Sequence, residues 1–137
     1  MRVIVRGHPN MPVKNLLSKC IFQIPNWFEV SKNELNTDLL NSNCVIYMQT
    51  SVGIQALLNG IPIIHLNINS PLSCDPLVKY HGKLKWVVKN SEELKNVLNE
   101  IDSINTDNIN SMCENSLNKL KEYFKQPTLD NLKYFMQ

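Results

Sequence analysis

Short apolar runs alternate with amphipathic segments along most of the 137-residue chain. The runs are rich in β-branched residues and end at turn formers, as the first one does at Gly7 and Pro9, which is typical of buried strands in a parallel sheet. The segments between them repeat apolar residues every three or four positions, as helices that cover such a sheet do. The predicted strands lie at residues 2–6, 27–30, 44–48, 61–66 and 86–88.

Helices are predicted between these strands and after the last one. The clearest signal begins at Ser91, which we expect to cap a helix because Glu92 and Glu93 follow it in the first turn. Gly60 is placed to end an earlier helix in the left-handed conformation, and we expect that helix, apolar nearly all round, to be buried. The predicted helices span residues 13–19, 33–40, 51–59, 91–101, 109–125 and 129–135.

Strands that alternate with helices predict an α/β fold with a doubly wound, mostly parallel, five-stranded sheet of the Rossmann-like type. The length suits one domain, in which residues 1–103 form the sheet core and residues 104–137 add C-terminal packing helices. The common order of five such strands is 2-1-3-4-5, which makes the first and third strands neighbours. Ligands bind beyond the carboxyl ends of the strands at this switch point, so we expect the site there.

Composition and charge narrow the class of protein. Hydrophobic residues make up 43% of the chain and charged residues 19%, which is ordinary for a globular protein. A net charge of +2, without a Lys/Arg block, gives no support to a nucleic-acid partner. No apolar stretch approaches the roughly 20 residues of a transmembrane segment, and the N-terminus does not resemble a signal peptide. We expect a cytoplasmic protein, and peripheral association with a membrane assembly stays open.

The four cysteines are scattered, without a Cys-x-x-Cys pair or a histidine at zinc-ligand spacing. They predict reduced, mostly buried thiols and no metal site. His65 lies within an apolar strand and is expected to be a buried structural side chain, whereas His81 and Asp75 fall in a polar loop that forms a lid or faces solvent. We expect Trp27 and Trp86 to pack in the core.

The turn after the third predicted strand carries Thr50, Ser51, Gly53 and Gln55. The N–H groups at the start of a helix and the two hydroxyls are suited to bind a phosphate, and Gly53 would let a ligand approach the backbone closely. Gln55 follows one helical turn later, where its amide can hydrogen-bond a sugar or ribose hydroxyl. The alternative interpretation is that Thr50 or Ser51 only caps the helix and that Gln55 is a solvated amide.

The first predicted strand ends in the segment Arg6-Gly7-His8-Pro9. Arg6 can clamp an anionic group, and His8 can donate a hydrogen bond to a leaving phosphate. A single histidine beside a proline is often structural, so its significance depends on the other motif. If the first and third strands are neighbours, His8 and the turn at Thr50 converge on one crevice.

Both segments resemble motifs in the C-terminal, nucleotide-binding half of GT-B glycosyltransferases, particularly the capsule and surface-polysaccharide enzymes and the bacterial sialyltransferase and polysialyltransferase relatives. Arg6-Gly7-His8-Pro9 is similar to their Lys/Arg-x-His-Pro motif. Residues 50–64 are similar to their Ser/Thr-rich turn followed by Glu-Ala-x-x-x-Gly-x-Pro-Val-Ile. The resemblance covers residues 2–101 and implies a role in polysaccharide biosynthesis.

The resemblance also implies roles for single residues. His8, Thr50 and Ser51 would contact the phosphate of a nucleotide-sugar donor, with His8 as the catalytic residue. Fixed hydrogen-bond donors would stabilise the charge on the leaving phosphate, with no metal or other cofactor required. The Glu with which the family binds donor hydroxyls is replaced by Gln55, which keeps the hydrogen bonding and loses the charge.

A GT-B enzyme has two Rossmann-like domains, and this chain resembles one of them. It begins within what would be the second strand of the family's donor domain, so we expect a donor-half fragment or a truncated relative. The acceptor site, and usually the catalytic base, belong to the other half, which an N-terminal domain or a partner chain would supply. On this interpretation the chain binds a nucleotide sugar and transfers nothing by itself.

Three other functions stay open on the sequence. A sugar epimerase of the UDP-N-acetylglucosamine 2-epimerase type shares the GT-B architecture, but the carboxylate pair that its chemistry would need beside the helix start is missing. A non-catalytic nucleotide-binding or phosphate-binding module is favoured by Gln55 and would show binding without turnover. A flavodoxin-like or receiver-like domain has the same strand order, although no acidic cluster for a receiver's metal follows the first three strands.

Overall fold

The computed structural model of the chain describes residues 2–7, 13, 17–19, 23–68 and 74–123, without the side chains of residues 106, 122 and 123. Its contacts divide the chain into two compact units, Met1–Asn41 and Ser42–Gln137. The expected helix at residues 13–19 falls largely outside the described residues, and the expected helix at residues 129–135 falls wholly outside them.

The described residues of the first unit form two parallel strands and one short helix. Their bounds are β1 (Val3–Val5), β2 (Phe28–Val30) and α1 (Leu35–Leu40). The β-branched run of the sequence accounts for β1. The expectation that Trp27 packs in the core is wrong, since this side chain is 45% exposed. It precedes β2 and meets the Phe28 ring edge-on, at a centroid distance of 6.1 Å.

The described residues of the second unit form three parallel strands and three helices. Their bounds are β3 (Val45–Tyr47), α2 (Val52–Leu58), β4 (Ile63–Leu66), β5 (Lys85–Val88), α3 (Ser91–Ser103) and α4 (Thr106–Tyr123). The central strand is β4, in which Ile63 lies opposite Val45 on one side and Lys85 on the other. Both Ile63 and Ile64 are fully buried, which explains the uninterrupted apolar sequence of β4.

Helices cover both faces of this three-stranded sheet. Ile64 and Val88 pack on one face with Ile101 of α3. Side chains alternate along a strand, so Tyr47 belongs to the opposite face, where its ring contacts Gly53 of α2. The helix α4 packs against α2. Parallel strands between layers of helices confirm the α/β class.

The five expected strands are all present, but the described residues arrange them in two sheets. One sheet contains β1 and β2, and the other contains β3, β4 and β5. The prediction of a single five-stranded sheet is therefore wrong for this part of the chain. The hydrophobic periodicity indicates where strands lie and that they are buried, whereas the sheet that each one joins depends on long-range packing that the periodicity does not encode.

Local sequence signals explain where α2 ends and where α3 begins. Gly60 follows α2 with a φ of 71°, the expected left-handed conformation. The cap of α3 is Asn90 and not Ser91, because the Asn90 side chain accepts a hydrogen bond from the Glu93 N–H at 2.9 Å. Asn and Ser cap about equally well, so residue type alone does not distinguish these adjacent positions. The expected burial of α2 holds for Gly53, Ala56 and Leu57, whereas Leu58 is exposed.

Candidate functional site

The turn between β3 and α2 begins with the two predicted phosphate-binding hydroxyls. Thr50 is half-buried, and its Oγ1 accepts a hydrogen bond from the Val52 N–H at 3.3 Å. This bond between residues two apart holds the turn that leads into α2, whose N-cap position is Ser51. Ser51 is exposed and its side chain makes no capping hydrogen bond. The Ser51 hydroxyl is therefore the one that a ligand can reach.

Gly53 and Gln55 follow within α2 and differ in their surroundings. Gly53 is buried, and a Cβ atom added to it would lie 2.8 Å from Cζ of Tyr47. The glycine makes room for the Tyr47 ring, whereas the sequence suggested room for a ligand. Gln55 is exposed. It lies four residues after Ser51, so the amide and the Ser51 hydroxyl share one side of the helix.

The turn before α2 is electrostatically open to an anion. The first turn of α2 contains no acidic residue. The first turn of α3, by contrast, contains Glu92 and Glu93, and Glu93 Oε2 already accepts a hydrogen bond from the Lys89 N–H at 2.8 Å. Carboxylates in that position repel a phosphate and compete with it for N–H groups. Of these two turns after strands of the same sheet, the one before α2 suits a phosphate.

Arg6 and His8, the other two predicted site residues, belong to the first unit. Arg6 Nη1 donates to Asp38 Oδ2 at 2.9 Å, to the Asn33 carbonyl at 2.6 Å and to Ser31 Oγ at 3.3 Å. An anion that bound Arg6 would share the guanidinium with these acceptors. His8 lies outside the described residues, so its convergence with the turn before α2 stays a prediction.

Asp38 is the centre of the network that holds Arg6. Ser31 Oγ donates to Asp38 Oδ2, and Asn33 Nδ2 donates to Oδ1 at 3.1 Å. The hydrogen bond from Ser31 is the main cause that lowers the pKa of Asp38, with smaller contributions from Asn33 and Arg6, and together they outweigh the opposing effect of burial. We call Arg6, Ser31, Asn33 and Asp38 the Asp38 network. It ties the segments after β1 and β2 to α1.

A second carboxylate network lies on the face of the three-stranded sheet that carries Tyr47. Asp75 Oδ1 accepts hydrogen bonds from the Tyr47 hydroxyl and from the Leu77 N–H, both at 2.9 Å. Asp75 Oδ2 lies 2.6 Å from Lys85 Nζ and 3.9 Å from His65 Nδ1. We call Tyr47, His65, Asp75 and Lys85 the Asp75 cluster. Its four side chains are almost completely buried.

Burial and hydrogen bonding together set the charges of the cluster. Burial alone would raise the pKa of Asp75, but the hydrogen bonds from Lys85, Leu77 and Tyr47 outweigh it and hold that pKa below its ordinary value. For Tyr47, burial first and then the contact with Asp75 both raise the pKa of the phenol well above its ordinary range. At neutral pH a charged Asp75 therefore accepts a hydrogen bond from a neutral Tyr47.

The sequence interpretation did not assign the Asp75 cluster, although one signal for it was present. Lys85 begins a strand between two apolar residues, and a lysine that is buried there needs an acidic partner. The expectation that Asp75 faces solvent or forms a lid is wrong, since this residue is buried. The expectation that His65 is a buried side chain is confirmed. His81, by contrast, is exposed.

Comparison of the chain with protein-family models, with curated proteins and with solved structures finds no match. Within the described ranges, no helix combines the length and the hydropathy needed to cross a membrane. The same residues contain no group of three or more His, Cys, Asp or Glu side chains placed to hold a metal ion.

Proposed function

We propose that the turn before α2 binds the phosphate of a nucleotide sugar and that this chain is the donor-binding half of a GT-B type glycosyltransferase for surface or capsular polysaccharide. The observation that carries the proposal is the Ser51 hydroxyl, exposed and free of any capping bond after a parallel strand. Ligands of parallel α/β sheets bind beyond this end of the strands. The sequence motifs described above add support from resemblance.

The proposed mechanism gives each polar residue of the turn one role. The Ser51 hydroxyl donates a hydrogen bond to a phosphate oxygen, while Thr50 holds the turn because its Oγ1 accepts a hydrogen bond from the Val52 N–H. Gln55 hydrogen-bonds a hydroxyl of the sugar or ribose. Transfer forms a bond from the acceptor to the sugar and breaks the bond between the sugar and the nucleotide phosphate, so fixed donors at that phosphate stabilise the negative charge of the leaving group. For His8, the resemblance to GT-B glycosyltransferases implies a hydrogen bond to a donor phosphate.

The rest of the proposed active site comes from outside this turn. Arg6 would bind an anionic group of the donor while it stays paired with Asp38. An acceptor-binding half, in the same polypeptide or in a partner chain, would supply the acceptor site and the catalytic base. The donor itself is the only small molecule that this proposal requires.

Titration of the chain with CMP, CDP, UDP and GDP, followed by amide NMR shifts, tests the proposal. We expect saturable shifts centred on residues 50–55. Ser51→Ala should weaken binding by about tenfold, because a charge-assisted hydrogen bond is lost. Ser91→Ala is the matched control, since Ser91 is also an exposed serine at the start of a helix after a strand of the same sheet. It should bind like the wild-type chain.

His8→Ala extends the same titration to the first unit. We expect weaker binding, because a donor to the phosphate is removed. Failure of all four nucleotides to saturate the chain would refute the proposal. So would an equal loss of affinity in Ser51→Ala and Ser91→Ala.

A second candidate function is a nucleotide-binding module that transfers no sugar. Gln55 favours it, because an uncharged amide stands where the resembled family has a carboxylate. Saturable binding of a free nucleotide that is no weaker than binding of its UDP-linked or CMP-linked sugar, unchanged in Gln55→Glu, would support this candidate. Tighter binding of the nucleotide sugar than of the free nucleotide, increased further in Gln55→Glu, would favour the glycosyltransferase.

A further inference from the structure

Tyr47 connects the Asp75 cluster to the turn that carries Ser51. This residue ends β3, and its ring lies against the backbone of Gly53, where an added Cβ would be 2.8 Å from Cζ and 3.0 Å from Cε1. The His65 ring packs beside it with a centroid distance of 5.3 Å. The hydroxyl is held by Asp75 at 2.9 Å. The ring is thus fixed at its face and at its polar end.

We infer that Asp75 is a positioning residue for the Ser51 turn and acts on it through Tyr47. The inference rests on the phosphate-binding function proposed for that turn. Asp75 fixes the Tyr47 hydroxyl, and the ring in turn supports Gly53, two residues after Ser51. A fixed backbone at Gly53 holds the start of α2 and therefore the position from which the Ser51 side chain projects. Donors that are already oriented bind a phosphate more tightly than donors that must be ordered first.

Lys85 and Leu77 explain why Asp75 can serve as a fixed anchor. Lys85 Nζ neutralises the carboxylate at 2.6 Å, and its own side chain is 5% exposed. The same ammonium group donates to the Leu77 carbonyl, while the Leu77 N–H donates to Asp75 Oδ1. A carboxylate that is held by several donors and shielded from water cannot easily rotate. Its bond with the Tyr47 hydroxyl is therefore a defined contact between two buried groups.

Tyr80 offers a matched control for a role that is only structural. It is buried in the same unit, and its hydroxyl donates to the Ser116 carbonyl at 3.4 Å. Its ring also lies against a glycine, Gly82. Tyr47→Phe and Tyr80→Phe each remove one buried phenolic hydroxyl and keep the ring over its glycine. Only the first of these hydroxyls is bonded to Asp75.

Nucleotide titrations of the full chain test the inference directly. The probe is whichever of CMP, CDP, UDP and GDP binds the wild-type chain most tightly. Tyr47→Phe and Asp75→Asn should weaken binding by about three- to tenfold, and Tyr80→Phe by less than about twofold. The double variant should bind no more weakly than Asp75→Asn alone, because the two residues act through one contact. Wild-type affinity in Tyr47→Phe, or an equal loss in Tyr80→Phe, overturns the inference.

Amide hydrogen exchange without nucleotide gives a readout that does not depend on the proposed function. The amides of residues 52–54 should exchange at least about threefold faster in Tyr47→Phe than in the wild-type chain, and at the wild-type rate in Tyr80→Phe. If the wild-type chain binds none of the four nucleotides, the proposed function fails and this exchange decides whether Asp75 positions the turn. Unchanged exchange in Tyr47→Phe, or the same acceleration in Tyr80→Phe, overturns the inference.

Discussion

The Asp38 network and the Asp75 cluster each pair one carboxylate with one cation, and they differ in access to water. The side chain of Arg6 is 37% exposed, whereas that of Lys85 is 5% exposed. Both carboxylates connect elements that are distant in sequence. Asp38 joins the segments after β1 and β2 to α1, and Asp75 joins the end of β3 to the start of β5. The bonding patterns are similar, but the surroundings are not.

This difference decides what each cation can do. Water can hydrate the guanidinium of Arg6 whenever its contacts loosen, so Arg6 can also interact with an anionic ligand. Lys85 has no such freedom, because its ammonium group and the Asp75 carboxylate are both withdrawn from solvent. Removal of either partner would leave an uncompensated buried charge. We therefore interpret Arg6 as a candidate ligand contact and Lys85 as a fixed part of the fold.

The largest expected effect comes from Lys85→Met, which keeps an apolar stem and removes the charge. The free energy of unfolding should fall by about 3–5 kcal/mol, because a buried carboxylate loses its cation. Arg6→Met, the corresponding change in the other network, should cost about 1 kcal/mol or less, because Arg6 is partly exposed and Asp38 keeps the hydrogen bonds from Ser31 and Asn33. Urea unfolding of single-tryptophan variants measures this, because Trp27 reports on the first unit and Trp86 on the second.

A double variant controls for the loss of lysine packing. Lys85→Met with Asp75→Asn should be destabilised by less than the sum of the two single changes, since no unpaired charge remains. Equal losses of unfolding free energy in Lys85→Met and Arg6→Met would contradict the distinction between the buried ion pair of Lys85 and the partly exposed ion pair of Arg6.

The next largest effect tests whether the Tyr47 ring can move to accommodate a larger residue in α2. Gly53→Ala places a Cβ 2.8 Å from Cζ of Tyr47, and the hydroxyl of this tyrosine is held by Asp75. We expect a loss of about 1–3 kcal/mol in the free energy of unfolding from overpacking. The same substitution in a Tyr47→Leu background should cost less, because the opposing ring is gone. An equal cost in both backgrounds would show that the Tyr47 ring does not limit the site.

The local features of both units could be predicted from the sequence because they depend on neighbouring residues. The apolar run of β4 and the helical periodicity after Asn90 indicate their elements directly, and Gly60 has the conformation that its position requires. The division into two sheets could not be predicted, because pairing between strands depends on contacts across the fold. Trp27 shows the same limit, since burial of a large apolar residue depends on what lies opposite it.

The candidate site also contains residues that could be predicted from their neighbours in the sequence and residues that could not. Thr50 and Ser51 are predictable from the sequence because hydroxyls after a strand have a recognisable chemistry, and the structure distinguishes a hydroxyl bonded within the turn from an exposed one. The partnership of Asp75 with Tyr47 could not be found in this way. The two residues are 28 positions apart, and Asp75 precedes a proline in a segment with the composition of a turn.

The smallest expected effect concerns acid stability, because burial and hydrogen bonding oppose each other at both carboxylates. The pKa of Asp38 and of Asp75 is lower in the folded chain than the value of about 4 expected in the unfolded chain. Each carboxylate therefore stabilises the fold above about pH 4, and this contribution is lost as the pH falls through the lowered pKa.

Below about pH 4, the free energy of unfolding should fall less steeply with decreasing pH when either Asp is replaced by Asn. Asp75→Asn should show this in the second unit, and Asp38→Asn in the first unit. Urea unfolding of the single-tryptophan variants at a series of acidic pH values measures this. A steeper acid loss in Asp75→Asn than in the wild-type chain would mean that burial outweighs hydrogen bonding at Asp75, and the cluster would then be a weak anchor for Tyr47.

Salt tests the same difference between the two networks. At 1 M NaCl charges are screened within about 3 Å, so the contribution of the half-exposed Arg6 to the free energy of unfolding should shrink, while that of buried Lys85 persists.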